Sequence, residues 1–460
     1  MNERTPLLKK DGTQKLLASL ISIILGLVFG SILVLIVGAA SDVITSKGSW
    51  EGVSLIFAGL FSTGRSAAGN LTWGVNATNF GNMLFRATPL IMCGLSVAIS
   101  QKTGLFNIGA PGQYLMGMLV TLIISLAIPA TVVPPVIIWL LAFLGGILAG
   151  ALWGSIPGLM KAMLNINEVI ACIMTNWIAA NVVTWAFDAC KFSVVEGEYF
   201  CQNKWHVATG TFQNLAENTK SGYVYKTVWN NVATPRLGLD KLFPGSQINA
   251  GIVIAILFAI AMYIVINKTT FGFQLKACGA NRHAARYAGI KDKKNIVLSM
   301  AIAGGLAAAG ASLYSLSGNT EFFWTTYQSL PATGFNGIPV ALLAINNPIG
   351  VIFSGIFMAM LDIVGVQLTK LTAYNEYITD VIIAAIVYLS AFALIIRMLL
   401  GGKKNKTNGH DANADKPATP TPAEPIAEEP AEPVAEAIEE AVEEAAAPVD
   451  AEIKEGGEQA

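Results

Sequence analysis

The sequence predicts an all-α polytopic membrane protein with about ten transmembrane helices. Three observations carry the prediction. The chain of 460 residues is 53% hydrophobic and only 13% charged, where soluble domains are about 25% charged. Its mean hydropathy is +0.56, and the apolar residues gather in runs near the length of about 20 that a helix needs to cross a bilayer. Charge is partitioned as well: residues 403–460 hold 15 of the 30 acids and 5 of the 29 Lys and Arg, which leaves residues 1–402 with a net charge of +9.

Residues 1–15 are polar and basic and are expected in the cytoplasm. The first apolar run, 16–40, is too long for a signal-peptide core and no clear cleavage site follows it, so it reads as an uncleaved first span. Further runs lie near 82–100, 105–129, 134–157, 168–187, 248–266, 296–316, 325–345, 349–366 and 376–398, and the membrane domain covers 16–400. The eighth run is broken by Pro331, Gly334, Gly337 and Pro339. Ten alternating spans put Arg4, Lys9, Lys10, Lys15, Lys102, Lys161 and Arg397 on one side, together with the segment 267–295. That segment carries Lys268, Lys276, Arg282, Arg286, Lys291, Lys293 and Lys294 against one acid, Asp292. The positive-inside rule then predicts a multi-pass protein of the plasma (inner) membrane with both termini cytoplasmic.

The long loop 188–247 is expected outside, and its aromatics, among them Trp205, Phe212, Tyr223, Tyr225 and Trp229, suit a docking surface, a lid or interfacial anchors. Cys190 and Cys201 share this loop; the sequence leaves open a disulfide or two unpaired thiols. The tail 401–460 is rich in Pro, Ala and Glu, is expected to be disordered, and is assigned no chemistry.

Enzyme signatures are missing from the sequence. There is no GxxxxGK[ST], HExxH or GxSxG. His206, His283 and His410 lie far apart, and no Cys/His spacing suits a metal. No catalytic residue, metal or bound cofactor is expected on this chain, and no nucleic-acid partner.

Two kinds of polar interruption remain. In 271–290, FGFQLKACGANRHAARYAGI, Asn281 is a good N-cap, RHAARYA is helical and Gly289 stands where a helix-ending glycine belongs. Arg282 and Arg286 are four apart and share a face. A short rigid helix of this kind suits mechanical contact with a partner, against the plainer reading of a basic loop that sets topology and meets anionic lipid. In 103–118, TGLFNIGAPGQYLMGM, Asn107, Gly109, Pro111 and Gly112 interrupt the third span, so the freed backbone must be buried in protein or line a cavity. The eighth span has a matching break in LPATGFNGIPVALL, 330–343. Paired breaks in two inverted five-helix halves point to a transport path through Asn107, Gly109, Gln113, Asn336 and Gly337, against plain tight packing by glycine.

Together these stretches resemble the membrane subunits of ABC importers in the nucleoside and simple-sugar branch, related to ribose and branched-chain amino-acid permeases. The resemblance rests on ATPLIMCGLSVAISQKTGLFNIGAPGQYLMG (87–117), the 271–290 segment and GFNGIPVALLAINNPIG (334–350). It implies that the 271–290 segment, through Gly279, Asn281, Arg282, Ala284, Ala285, Arg286 and Gly289, docks on a cytoplasmic ABC ATPase that carries the ATP and Mg. It implies a second permease chain, sibling or self, and an extracellular solute-binding lipoprotein. Pro111 stands where the family usually has an acid, so no carboxylate contact is carried over at that place. The expected function is inward transport of a nucleoside or related sugar-like solute. The alternatives are a branched-chain amino-acid permease, or a secondary transporter that would need Asp362 and Asp380 as its ion site.

Overall fold

The computed structural model describes residues 11–41, 44–128, 130–188, 192–195, 198–201, 223–225, 232–318, 322–324, 329–375 and 377–391. Cys190 and the loop aromatics Trp205, Phe212 and Trp229 lie outside those residues, as does the acidic tail. Helix α1 (Asp11–Ala40) is followed by α2 (Ser46–Ala58) and a hairpin of β1 (Ser62–Arg65) and β2 (Leu71–Trp73). Then come α3 (Ala77–Lys102), α4 (Ala110–Ala127), α5 (Pro135–Leu164) and α6 (Glu168–Asp188). A hairpin of β3 (Phe192–Val195) and β4 (Glu198–Cys201), strand β5 (Tyr223–Tyr225) and the single turn α7 (Leu239–Leu242) lead to α8 (Gly251–Lys268). Helices α9 (Thr270–Ala280) and α10 (Arg282–Tyr287) connect to α11 (Asp292–Ser315). Strand β6 (Phe322–Trp324), α12 (Ala332–Leu343), α13 (Pro348–Leu371) and α14 (Tyr377–Ala391) complete the order.

Among the described residues, eight helices are long and apolar enough to cross a bilayer: α1, α3, α4, α5, α6, α8, α11 and α13. With the shorter α12 and α14 they fall on the ten apolar runs of the sequence. The eighth run differs from expectation. Instead of a span over 325–345 there is a 12-residue helix, about 18 Å long, against a hydrocarbon core of about 30 Å. Two causes are visible. Phe322–Trp324, just before the run, pair antiparallel with Tyr223–Tyr225, and Pro331, held extended at ψ 125°, delays the helix start. A part-span helix is tolerated because it is wrapped in protein: Gly337 lies on the backbone of Cys93, and Val340 on Gly94.

Helix α3 is the axis of the bundle. Its residues from Ala87 to Ser100 are buried throughout, under α8, α11, α12 and α13. Helix α5 shows two opposite faces. Leu140, Leu144, Leu148, Leu152 and Leu159 point outward and are exposed, as a lipid-facing stripe would be. Gly146, Gly150, Gly154 and Gly158, also spaced by four, face α11. A Cβ on Gly154 would stand 3.0 Å from Gly304 Cα, and one on Gly158 3.2 Å from Val297 Cα. Helix backbones therefore meet directly, the arrangement small residues permit in membranes.

One end of the bundle is tied by polar contacts. The Arg65 guanidinium forms an ion pair with Glu51 at 2.6 Å and donates to the carbonyls of Gly69 and Leu371. That joins α2, the first hairpin and the end of α13. Tyr374 Oη donates to the Val34 carbonyl at 2.7 Å and fastens α1.

The glycine seam sets up a contrast between two substitutions. Gly150→Val places methyl groups into Gly304 and Ala308 and is expected to cost about 3 kcal/mol or more, at the upper end for overpacking. Gly145→Ala meets only the Ile124 Cδ1 tip of a flexible side chain and is expected to be tolerated. Unfolding of the two variants in detergent micelles checks the difference.

Candidate functional site

The third span begins with unwound chain. Helix α3 ends in a Schellman motif: Gly104 takes φ +75°, its N–H donates to the Gln101 carbonyl, and Leu105 N–H to that of Ser100. The chain then passes non-helically through 105–107 and turns at Ile108 and Gly109, Gly109 being the N-cap of α4, with Pro111 in the first turn. Leu105, Asn107, Ala110 and Gln113 are all buried. Asn107 and Gln113 exchange two amide hydrogen bonds, Asn107 Nδ2 to Gln113 Oε1 at 2.9 Å and Gln113 Nε2 to Asn107 Oδ1 at 3.1 Å. Asn107 also donates to Ser96 Oγ at 3.1 Å and accepts from Gly109 N–H. A side chain on Gly109 would crowd this pair, since its Cβ would lie 3.1 Å from Asn107 Oδ1.

Asn176 of α6 completes the arrangement. Its Oδ1 accepts from Gly112 N–H at 2.9 Å, and its Nδ2 donates to the Ile108 carbonyl at 3.0 Å. One carboxamide satisfies the backbone on both sides of Pro111, where lipid could offer nothing. Sequence reasoning missed it. The only signal is an asparagine in the otherwise apolar stretch ACIMTNWIAAN, where Thr175 and Asn181 are polar as well, and its partners are more than sixty residues away.

The structure thus gathers Asn107, Gly109 and Gln113 and turns them on each other. Gly334 of α12 abuts Pro111, so the two interrupted helices meet at their starts. Asn336 is half-buried on α12, and Gly337 is spent on its contact with α3.

At the opposite end from Arg65, α10 is capped at both termini. Asn281 Oδ1 accepts from Ala284 N–H at 3.0 Å. Gly289, at φ +78°, closes a second Schellman motif, with Gly289 N–H to Arg286 and Ile290 N–H to Ala285, both 3.0 Å. Ala285 packs inward. The shared face of Arg282 and Arg286 is turned to the chain itself: Arg282 Nε lies 2.7 Å and Arg286 Nε 3.7 Å from Asp292, the first residue of α11. The outward surface of α10 is carried by His283, Ala284 and Tyr287, the last 94% exposed. Tyr287 is not among the contact residues expected from the sequence, and nothing in its spacing marks it.

A profile of the family described as branched-chain amino acid transport system / permease component matches residues 79–391. The chain belongs to this permease family. It is an ABC-type transport permease built on a multi-pass helical fold. It is 31% identical over 391 residues to the guanosine ABC transporter permease protein NupP of Bacillus subtilis, covering 85% of this chain and 97% of that one. Identity to the nucleoside ABC transporter permease protein NupB of Lactococcus lactis subsp. cremoris is 32% over 388 residues, 84% and 94% of the two chains. The glucose ABC transporter permease protein TsgB13 of Haloferax volcanii is 28% identical over 342 residues, 72% and 81%. No solved structure matches the chain.

Asn176→Ala strands a buried N–H and a buried carbonyl, at about 1–3 kcal/mol each. The permease is expected to lose about 2–5 kcal/mol, read as a lower Tm in micelles. A double-mutant cycle of Asn107→Ala and Gln113→Ala is expected to show coupling of about 1 kcal/mol or more.

Proposed function

We propose that this permease carries a nucleoside or a related sugar-like solute inward as one membrane subunit of an ABC importer. The observation that carries the reading is similarity along most of the chain to relatives named as guanosine and nucleoside permeases. The family description would also allow a branched-chain amino acid, but the relatives matched over 85% and 84% of this chain are named for guanosine and nucleosides, and the one matched over 72% for glucose. ATP and Mg belong to a separate cytoplasmic ATPase. A second permease chain, either a copy or a sibling, completes the path, and an extracellular solute-binding lipoprotein delivers the solute. Both termini are assigned to the cytoplasm on the distribution of Lys and Arg.

In this reading α10 is the surface the ATPase grips. Its two caps make it a rigid body, Ala284 leaves room for close approach, and Tyr287 supplies the kind of exposed aromatic that anchors protein contacts. The Arg282–Asp292 pair keeps the helix attached to α11, so that what moves α10 also moves a long helix of the bundle. Asn107, Gly109, Gln113, Asn336 and Gly337 belong to the moving walls of the path, with the amide pair acting as a hinge seal.

Reconstitution in proteoliposomes tests the proposal. Radiolabelled guanosine is expected to accumulate only when the ATPase subunit and ATP are present, with leucine excluded. Uptake driven by an ion gradient without the ATPase would overturn it in favour of an ion site at Asp362 and Asp380, and leucine uptake would favour the amino-acid reading. Ala284→Trp is expected to cut solute-stimulated ATP hydrolysis about tenfold or more while membrane insertion is unchanged, a loss in the range typical for coupling between sites. Tyr287→Ala is expected to weaken co-purification of the ATPase.

A further inference from the structure

We propose that a backbone-to-backbone contact between Gly104 and Gly279 is the relay through which displacement of α10 reaches α4. The inference rests on the reading of α10 as the ATPase contact and adds where the motion goes next.

Gly279 lies at the end of α9, two residues before the N-cap of α10. A Cβ there would strike the Lys102 carbonyl oxygen and would stand 2.9 Å from Gly104 N and 3.0 Å from Thr103 C. From the other side, a Cβ on Gly104 would lie 3.1 Å from Gly279 Cα and 3.3 Å from its carbonyl oxygen. Neither residue can carry a side chain without parting the two segments. The positive φ of Gly104 already requires glycine to end α3.

The chain beyond Gly104 has no slack. Thr103 and Leu105 are buried, and Leu105 packs with Ile296 and Met300 of α11 and with Cys172 of α6. Three residues after Gly104 comes Asn107, locked to Ser96 and Gln113. Asn176 then holds Ile108 and Gly112 on either side of Pro111. A push on Gly279 therefore has a continuous packed and hydrogen-bonded route into the first turn of α4. Close-packed segments of this kind shift between discrete arrangements and do not deform gradually. Gly104 and Gly279 are positioning residues: they hold the lead-in segment and touch no solute.

The second attachment of α10, Arg282 to Asp292, leads to α11. Because α11 is pressed against α5 along the glycine seam, that arm drives the α5–α11 pair. The Gly279 arm reaches α4, which is itself held to α11 by Gly117 against Ala308 and by the Thr121–Ser312 hydroxyl pair at 2.8 Å. Both arms therefore act on one packed unit, and the Gly279 arm is the one that enters it at the unwound start of α4.

The test uses the full complex, permease with its ATPase and solute-binding subunits, in proteoliposomes. Gly279→Val and the milder Gly104→Ala are compared with wild type. Three quantities are read: co-purification of the ATPase, guanosine transported per ATP hydrolysed, and labelling of Cys172 by N-ethylmaleimide, resolved by mass spectrometry. Cys172 is a native probe, with its Sγ 3.9 Å from Asn107 Oδ1. Wild type is expected to change its Cys172 labelling several-fold between the nucleotide-free and the ATP-vanadate states. In Gly104→Ala that change is expected to shrink and transport per ATP to fall several-fold, with the ATPase still bound and hydrolysing. Gly279→Val, in the docking segment itself, is expected to abolish the change and cut transport per ATP about tenfold. Unchanged transport per ATP in an assembled Gly279→Val complex overturns the relay, as does a wild type whose Cys172 ignores nucleotide. Failure of both variants to assemble also overturns it, because the contact would then be structural only. Wild-type uptake that needs no ATPase would instead overturn the proposed function.

Discussion

A single asparagine carries the constraint on which the membrane architecture depends. Within hydrocarbon every backbone N–H and C=O must find a partner in the protein, and the chain around Pro111 has given up its helical ones. Asn176 answers both sides of that gap from α6, while Asn107 and Gln113 answer each other. The interruption is thereby neutral to the surrounding lipid and can be placed deep in the bundle. Helix α12 solves the same problem differently. It is short, and it lies against α3 and the start of α4.

These two solutions place the interrupted helices in contact. Gly334 against Pro111 means that the starts of α4 and α12 cannot shift independently. The dry amide pair also changes how the path residues are understood. Side chains whose polarity alone would suit solute ligands are occupied with one another. Under the proposed function their contribution is to hold the unwound segment in register.

Much of this is legible in the sequence, for definite reasons. Hydropathy locates the ten helices because a bilayer imposes length and polarity with little tolerance. The caps of α10 are readable because Asn281 and Gly289 act within a few residues of themselves. The failures have the opposite character. The apolar run of α12 predicts a full span because hydropathy does not register that Pro331 is extended and holds the helix start back to Ala332. The spacing of Arg282 and Arg286 predicts a face for a partner, and only the fold brings Asp292 beneath them. Asn176 acts across more than sixty residues, which no local pattern records. The glycines of α5 are a different kind of omission. Their spacing by four, opposite leucines spaced by four, is present in LGGILAGALWGSIPG, and it specifies a tight helix pair on its own.

That glycine face has a consequence for how the protein can move at all. A contact made of backbone against backbone offers no rotamers to exchange and no gap to close, so α5 and α11 can neither slide nor roll without losing their fit. They form one rigid beam. Whatever displaces α11 must carry α5 with it, and the lipid resting on the leucine face of α5 travels with the pair.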